Sequence, residues 1–321
     1  MEKIRGIIEL CLEKNPCKAE FRFNEPMSGH TSFKVGGPAD CWIKPSGDDS
    51  GAFTAALITA VCREQIPLFI LGGGANILVS DKGIRGITLD TSAWTGEKES
   101  GAKTEMVFRS GTSPDAAADA AAGRGLGGLE FLAGMPGSMG GALWMNARAY
   151  EHEIADFATQ ADIIDFSTAE AKYRAIKIDK STFSYKHSPF QNQQCLILSA
   201  RYALYPRSED EIKAEMEKYR MDRQAKGHYR FPSAGSAFKN NRNFGKPTGQ
   251  IIDELGLKGF SIGGAQIAPF HGNIIINTGT ATAENIRDLL RFIALRVKEA
   301  RGFILEPEIL LTGDWSAGFL T

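Results

Sequence analysis

Leu71-Gly72-Gly73-Gly74-Ala75-Asn76-Ile77-Leu78 is the stretch that most constrains the fold of this chain. It continues directly from the apolar run Pro67-Leu68-Phe69-Ile70-Leu71, which has the length and composition of a buried strand. Consecutive residues without a Cβ atom allow backbone N–H groups to approach an anion closely. The stretch therefore predicts a phosphate-binding loop after a strand, with an ordinary tight turn as the alternative.

A second glycine-rich run lies about 60 residues further along: Gly134-Met135-Pro136-Gly137-Ser138-Met139-Gly140-Gly141-Ala142. Two such runs could hold the two ends of one cofactor that contains a pyrophosphate. Neither run matches the loop of nucleotide triphosphatases or a G-x-G-x-x-G sequence that opens a helix, so a Rossmann site is poorly supported. Residues 123–128 imitate the dinucleotide fingerprint, but they follow a predicted helix, and we interpret them as a connection.

Hydrophobic periodicity around these runs predicts mixed helices and strands. Helices are predicted near residues 4–12, 53–61, 114–122, 209–223 and 249–255, and from Thr282 to Gly302. Short apolar runs predict strands at residues 40–44, 67–71, 86–90, 161–165, 195–199 and 273–277. The helix at 209–223 is almost wholly polar, and we therefore expect a domain boundary there.

The composition limits the possible functions. The chain has 321 residues, of which 43% are apolar and 23% charged, and its formal net charge is −1. This length predicts two or three domains, and near neutrality argues against nucleic acid or an anionic membrane as a partner. No apolar signal segment and no run of about 20 apolar residues occurs, so we expect a cytoplasmic protein. Five scattered cysteines without a C-x-x-C pair predict core residues, with neither a disulfide framework nor a metal site.

Four blocks of the sequence resemble the MurB family of UDP-N-acetylenolpyruvoylglucosamine reductases. They are residues 31–39 (TSFKVGGPA), 71–80 (LGGGANILVS), 128–137 (GLEFLAGMPG) and 233–240 (SAGSAFKN). The blocks follow one another in the family's order, and the resemblance covers nearly the whole chain. The short interval between Phe190 and Pro232 is similar to the subgroup that lacks the extra substrate-covering loop.

The resemblance implies an α+β protein with an FAD-binding fold of the vanillyl-alcohol-oxidase (PCMH) type in two subdomains, plus a C-terminal α/β substrate-binding domain. We expect these at residues 1–92, 93–208 and 209–321, with the last strand able to pack back toward the flavin. The implied reaction is the NADPH-dependent reduction of UDP-N-acetylglucosamine enolpyruvate to UDP-N-acetylmuramate, in peptidoglycan precursor synthesis. The implied cofactor is noncovalent FAD, and we expect a monomer whose partners are the UDP-sugar and NADPH.

Three catalytic residues are implied. Ser236 corresponds to the serine that protonates C2 of the substrate. Glu308 corresponds to the carboxyl group that stabilises or protonates the enolate, and we prefer it to Glu306 because the family's acid directly precedes an aliphatic position. Lys186 stands where the family has an arginine that binds the substrate carboxylate. Lysine keeps the charge but loses the planar fork of arginine, so we expect looser orientation of the carboxylate.

Further residues are implied for binding. The substrate contacts would come from Tyr185, Lys226, Asn240 and His271, with Lys226 at the diphosphate. The FAD contacts would come from Gly72, Gly73, Gly74, Ala75, Asn76, Ile77, Gly134, Met135, Pro136, Gly137, Ser138, Gly141, Ala142, Asn146, Ile154 and Arg223. Arg148 and Glu151 stand where the family usually has glycine. They could alter a backbone turn near the flavin, or they could pair with each other on the surface.

Two other functions are compatible with the same blocks. One is an FAD-dependent oxidase or dehydrogenase of this fold that acts on another substrate. Such relatives often attach FAD through His or Cys, and neither glycine-rich run contains a suitable one, which favours noncovalent FAD. The other is a non-catalytic flavin-binding module, but binding alone would require neither Ser236 nor Glu308.

Overall fold

The computed structural model describes residues 1–47 and 50–315. Every helix predicted from the sequence is present, and one short helix, α4, was not predicted. The helices are α1 (Glu2–Lys14), α2 (Ser50–Arg63), α3 (Pro114–Ala122), α4 (Met139–Trp144), α5 (Glu209–Ala225), α6 (Thr248–Glu254) and α7 (Ala283–Arg301). No helix of the described residues is long and apolar enough to cross a membrane.

The six predicted strands are also present, together with strands that were not predicted, among them the nine-residue β1. In chain order the strands are β1 (Lys18–Pro26), β2 (Pro38–Ser46), β3 (Leu68–Leu71), β4 (Ile77–Val79), β5 (Ile84–Asp90), β6 (Glu97–Lys98), β7 (Glu105–Arg109), β8 (Leu126–Gly127), β9 (Arg148–Ala149), β10 (His152–Glu153), β11 (Ala158–Asp165), β12 (Lys172–Lys177), β13 (Cys195–Ala203), β14 (Tyr205–Pro206), β15 (Ser261–Ile262), β16 (Ala265–Ile267), β17 (Ile275–Asn277) and β18 (Leu310–Thr312). Residues 123–128 form a turn and the short β8, as expected for a connection.

The chain divides into two compact units, and each is assembled from separate segments. The first unit comprises Met1–Phe23, Asp40–Gly73 and Gly86–Met221, and the second comprises Asn24–Ala39, Gly74–Arg85 and Asp222–Thr321. The last division falls within α5, the helix whose polar composition predicted a boundary. The finer division into three domains stays a prediction.

The first unit has two hydrophobic cores. One lies under α1 and α2, where apolar side chains at helical spacing are fully buried, including Ile8, Phe53 and Leu57. A four-stranded sheet of order β1-β2-β5-β3 contributes to this core, and β3 pairs in parallel with β5. The parallel pairing places the end of β3, and therefore the glycine-rich run that follows Leu71, at one edge of the sheet.

The second core of the first unit contains the Ala-rich helix α3 and a five-stranded sheet of order β12-β11-β13-β7-β6. All of its strand pairs are antiparallel. Small alanine side chains such as Ala117 and Ala121 are buried beside the large Phe108 and Tyr202. Small residues on one face of α3 therefore allow the helix to pack closely over bulky neighbours.

The second unit is organised by α7. Thr282 caps this helix as predicted, Gly302 ends it in a left-handed conformation, and its apolar face is fully buried. The carboxylate of Asp81 accepts the backbone N–H groups of Ala283 and Glu284, each at 2.9 Å, which stabilises the positive end of the helix. The antiparallel strands β15, β16 and β17 and the parallel pair β4 and β18 also belong to this unit.

Candidate active site

Within the first unit, the start of the first glycine-rich run (Leu71 to Gly73) lies against the second run. A Cβ atom added to Gly73 would lie 2.5 Å from the carbonyl carbon of Gly137, and one added to Gly72 would lie 2.6 Å from Ser138 Oγ. The hydroxyl of Ser138 accepts the backbone N–H groups of Gly73 and Gly141, both at 3.3 Å. The structure therefore brings together two backbone segments that the sequence predicted as parts of one cofactor site.

These segments fit a phosphate-containing cofactor. Gly73 and Gly141 are exposed, so a ligand can approach the backbone of both runs, although the N–H groups of these two residues donate to Ser138 Oγ. Ser110 lies beside the second run, where its backbone carbonyl accepts the N–H of Gly140 at 2.8 Å. The hydroxyl of Ser110 is buried and has no hydrogen-bond partner within the described residues. Sequence reasoning missed Ser110, because a serine after a strand carries no distinctive signal.

Other residues predicted for the cofactor have structural roles around the second run. The N–H of Gly134 donates to Asp115 Oδ1 at 2.6 Å, and φ at Gly134 is +69°. Met135 is half-buried against the core, and Pro136 is exposed. Ala142 is buried within the core. Pro136 is therefore the most open side chain of these four.

Asn146 and Ile154 are more deeply buried than their predicted cofactor role suggests. The amide of Asn146 donates to the carbonyl of Ser184 at 2.9 Å and accepts the N–H of Ala155 at 3.2 Å. Ile154 is fully buried in the core, and its N–H donates to the carbonyl of Ala147 at 3.0 Å. The carbonyl of Ile154 accepts the N–H of Phe157 at 3.2 Å, so both backbone polar groups of Ile154 are engaged within the protein, whereas Asn146 holds together the segments that flank the site.

Tyr185 and Lys186 form the tip of a tight hairpin. The backbones of Ser184 and His187 exchange hydrogen bonds of 3.1 and 3.0 Å, so Tyr185 and Lys186 are the two central residues. Lys186 has φ of +59°, and its carbonyl accepts the side-chain amide of Gln191 at 3.1 Å. The ammonium group of Lys186 lies 6.0 Å from the centre of the Tyr185 ring. A lysine with positive φ has a strained backbone, and such strain is common at functional sites.

A second tight hairpin carries Arg148 and Glu151, the two departures from the family pattern. β9 pairs with β10, and the turn residues Tyr150 and Glu151 both have positive φ, +49° and +68°. Within the described residues Arg148 and Glu151 do not form an ion pair, so of the two alternatives the surface pair is not found. The guanidinium carbon of Arg148 lies instead 5.8 Å from the centre of the Tyr185 ring.

The second unit places Ser236 and Glu308 on neighbouring segments. The N–H of Glu308 donates to the carbonyl of Ala237 at 2.9 Å, and Ser236 forms an isolated β-bridge with Ile274. Ser236 is half-buried, and its hydroxyl has no hydrogen-bond partner in the part of the chain that the structure describes. The backbone of Glu308 is thus bonded to the residue that follows Ser236, although the two segments are about 70 positions apart in the sequence.

Burial distinguishes the two glutamates of the closing segment. Glu308 is 8% exposed, whereas the side chain of Glu306 is 70% exposed and pairs with Lys239 at 2.6 Å. The amide of Asn76, predicted to contact the cofactor, donates to the carbonyl of Glu308 at 3.0 Å. Ile77 belongs to β4, which pairs with β18 immediately after this segment. The latter half of the first glycine-rich run therefore supports the position of Glu308.

Gly74 and Ala75 also belong to the second unit. Gly74 has φ of +62°, and an added Cβ atom would lie 2.0 Å from the carbonyl oxygen of His30. The hydroxyl of Ser32 donates to the carbonyl of Ala75 at 3.2 Å. These contacts explain the glycine at position 74 by close packing within the protein.

Cationic and imidazole groups gather near the start of the second unit's C-terminal segment. Lys226 pairs with Asp222 at 2.6 Å, and the rings of His228 and His271 lie 6.5 Å apart. Burial, then the charges of Arg223, His271 and Lys226, lower the pKa of His228 to about 4. Burial and Lys226 also lower the pKa of His271. His228 was not predicted, because a single histidine after Gly227 has no recognisable pattern.

His271 and Asn240 are fixed by backbone hydrogen bonds. Nδ1 of His271 accepts the N–H of Asn273 at 3.1 Å, so the neutral ring carries its proton on Nε2. Oδ1 of Asn240 accepts the N–H of Thr248 at 2.9 Å, which leaves the NH₂ group of Asn240 as its donor end. The other polar atoms of these side chains, Nε2 of neutral His271 and the amide nitrogen of Asn240, are hydrogen-bond donors.

Comparison with known proteins identifies the family. Residues 52–171 match the model of an FAD binding domain, and residues 227–312 match the C-terminal domain of UDP-N-acetylenolpyruvoylglucosamine reductase. The reductase of Treponema denticola is 39% identical, with 91% of this chain and 94% of that protein covered. This chain belongs to the UDP-N-acetylenolpyruvoylglucosamine reductase family. The reductase of Caldanaerobacter subterraneus is also 39% identical, with 91% of this chain and 93% of that protein covered.

A solved structure agrees with the membership in this reductase family. The MurB reductase of Thermus caldophilus aligns with a TM-score of 0.72 and 27% identity, covering 92% of this chain and 99% of that one. This chain is thus an α+β FAD-dependent oxidoreductase with the FAD-binding fold of the vanillyl-alcohol-oxidase type, as the sequence predicted. The glycine-rich runs and Ser110 fit the diphosphate of this cofactor.

Proposed function

We propose that this chain reduces the enolpyruvyl group of UDP-N-acetylglucosamine enolpyruvate to give UDP-N-acetylmuramate, using FAD and NADPH, in peptidoglycan precursor synthesis. The observation that carries the proposal is the adjacency of Ser236 and the buried Glu308, linked through the backbone of Ala237. Bound FAD would supply the hydride for one carbon of the enol ether, with NADPH as the reductant of the flavin. The chain must provide the proton for the other carbon and stabilise the charge on the carboxylate.

Ser236 is the proposed proton donor to C2 of the substrate. Its hydroxyl is half-buried and makes no hydrogen bond within the described residues, so it can turn toward a substrate carbon. A serine hydroxyl is a weak acid in water, and it therefore needs a neighbour that replaces its proton. The backbone of Glu308 is bonded to Ala237, the residue after Ser236, so a segment that carries a carboxyl group lies beside that of the serine.

Glu308 is the proposed group that stabilises or protonates the enolate. Its side chain is nearly buried, whereas that of Glu306 is exposed and neutralised by Lys239. A carboxyl group assists an enolate by donating its proton or a hydrogen bond, and a buried donor meets little competition from water. This difference in burial supports the choice of Glu308.

Lys186 and Tyr185 are the proposed ligands of the substrate carboxylate. The hairpin of residues 184–187 fixes the backbone of Lys186, and the charge of its side chain can stabilise the enolate. Lys226, His271 and Asn240 are the proposed ligands of the diphosphate and its surroundings. Because the net charge is only −1, a dianion must be bound by a local group of donors such as this one.

We propose that the two glycine-rich runs, Asn146, Ile154 and Arg223 hold FAD without a covalent bond. The close approach of Gly73 to Gly137 and the unpartnered hydroxyl of Ser110 support a diphosphate site in the first unit. We further propose a cytoplasmic monomer whose partners are the UDP-sugar and NADPH. Near neutrality of the chain is consistent with the absence of a nucleic-acid or membrane partner.

An anaerobic experiment tests the proposed reaction. The purified flavoprotein is reduced with one equivalent of NADPH, and UDP-N-acetylglucosamine enolpyruvate is then added. We expect the absorbance of oxidised flavin, at about 450 nm, to return rapidly, with UDP-N-acetylmuramate as the product. A flavin that is reduced but stays bleached would leave the fold intact and refute the proposed substrate.

A further inference from the structure

Two cations lie near the same aromatic ring in the first unit. The guanidinium carbon of Arg148 is 5.8 Å, and the ammonium nitrogen of Lys186 is 6.0 Å, from the centre of the Tyr185 ring. Both distances are within the range of cation–π contact. We infer that Arg148 acts together with Lys186 as a second ligand of the carboxylate of the enolpyruvyl substrate. The inference rests on the proposed function, because it assigns an additional residue to the same site.

The hairpin that carries Arg148 is held in place by contacts of its turn. β9 and β10 pair through a turn in which Tyr150 and Glu151 both adopt positive φ, an unfavourable conformation for these residues. The ring of Tyr150 stacks on that of Tyr219 at 3.8 Å, and its hydroxyl donates to the carbonyl of Tyr219 at 3.2 Å. These contacts of Tyr150 compensate the backbone strain and fix the strand on which Arg148 lies.

Three other arginines of the first unit pair with carboxylates, whereas Arg148, like Arg5 over Phe21 and Phe23, lies over an aromatic ring. Arg201 pairs with Glu105, Arg207 with Glu130 and Glu215, and Arg220 with Asp115 and Asp119. No carboxylate of the described residues lies within 4.0 Å of Arg148. Its guanidinium rests against an aromatic ring, which leaves the N–H groups at its edge available for an anion.

The chemistry of the two cations is complementary. Lys186 is a compact point charge with freely rotating donors, whereas Arg148 has a planar fork that can hold both oxygens of one carboxylate. The family usually has the arginine of this site at the position of Lys186 and a glycine at the position of Arg148. In this chain the two departures meet at Tyr185. Arg148 therefore restores the fork that the lysine cannot provide.

The test compares two ligands that differ in the carboxylate. UDP-N-acetylglucosamine enolpyruvate and UDP-N-acetylglucosamine are titrated into the oxidised FAD enzyme by calorimetry, and flavin reoxidation by the enolpyruvate is timed separately. Arg148→Gln keeps a long side chain over Tyr185 and removes the charge. We expect it to weaken the enolpyruvate ligand roughly 10- to 100-fold, the effect of losing hydrogen bonds to a charged group. Affinity for UDP-N-acetylglucosamine should stay within about twofold of the wild type, because this ligand has no carboxylate to lose.

Three further variants separate this role from a structural one. Lys186→Arg introduced into Arg148→Gln should recover at least about tenfold of the lost affinity, because it returns a fork to the site. Arg174→Ala removes an exposed arginine on β12 and should change neither ligand's affinity. Glu151→Gly removes the backbone strain of positive φ at this turn position and keeps Arg148. It should also leave both affinities unchanged.

The outcomes distinguish the inference from the proposed function. A loss confined to the carboxylate ligand, with rescue by Lys186→Arg, supports the inference. Equal losses for both ligands, or no loss for either, refute the role of Arg148 while leaving the reductase activity of the wild type in place. A wild-type enzyme whose reduced flavin is not reoxidised by the enolpyruvate refutes the proposed function and the inference together.

Discussion

Gly73→Ala tests whether contact between the two glycine-rich runs creates the FAD site. The added Cβ atom would lie 2.5 Å from the carbonyl carbon, 2.6 Å from the Cα atom and 2.8 Å from the carbonyl oxygen of Gly137. Carbon atoms normally approach to about 3.5 Å, so the two backbones must separate by about 1 Å. Gly73 does not have positive φ, so alanine suits its backbone conformation and close contact is the main obstacle.

The expected effect follows from this overlap. Forcing an extra methyl group into a packed site costs about 1–3 kcal/mol, so the FAD-free variant should lose about that much free energy of unfolding in urea. If the opened contact costs FAD a similar free energy of binding, its dissociation constant should rise about tenfold or more. Both quantities are measured, the first by circular dichroism and the second by flavin fluorescence.

Gly6→Ala is the matched control. This glycine lies inside α1, and nothing is within 4 Å of an added Cβ atom. We expect a gain of up to about 1 kcal/mol from helix propensity and no change in FAD affinity. If Gly73→Ala retains both the stability and the FAD affinity of the wild type, the contact between the runs does not shape the cofactor site.

Three other predictions concern catalysis and pH. Ser236→Ala should leave flavin reduction by NADPH nearly intact and slow reoxidation by the enolpyruvate about 100-fold or more in stopped flow, whereas slow flavin reduction would count against a proton donor. Lys186→Arg should preserve or raise turnover in steady-state assays, and a collapse would mean that the pocket is built around lysine. The pKa of His228 is lowered from 6.5 to about 4 in the folded protein, so unfolding is coupled to proton uptake between these values. The contribution of His228 to the free energy of unfolding is therefore at its maximum above pH 6.5. It falls as pH drops toward 4, by at most about 3 kcal/mol. His228→Asn should flatten this slope in urea titrations, and an unchanged slope would exclude His228 as its source.

Local signals predicted the regular elements well. The apolar periodicity of α7, its Thr282 cap and its terminal Gly302 are all properties of one segment, and the structure confirms each of them. The strands around the first glycine-rich run were equally clear, because runs such as 67–71 and 86–90 are short, apolar and bounded by turn residues. The short helix α4 was missed because its six residues include two glycines.

The details of the site depended on contacts between distant segments. Burial separates Glu308 from Glu306, although the two glutamates are nearly adjacent in the sequence. The sequence left open whether Arg148 pairs with Glu151 or alters a turn near the flavin, because contacts with distant segments cannot be read without a fold. Its actual neighbour, Tyr185, is on a separate hairpin.

By itself the sequence determined the elements, the family pattern and the identity of the residues that can carry charge or protons. Helix caps, strand periodicity and glycine-rich runs are local, since each depends on backbone preferences of a few consecutive residues. Only the tertiary structure decided that Gly73 meets Gly137, that Glu308 is buried beside the Ser236 segment, and that Arg148 and Lys186 share one ring. These properties arise from packing between segments far apart in the chain, where burial and distance set the strength of each charge.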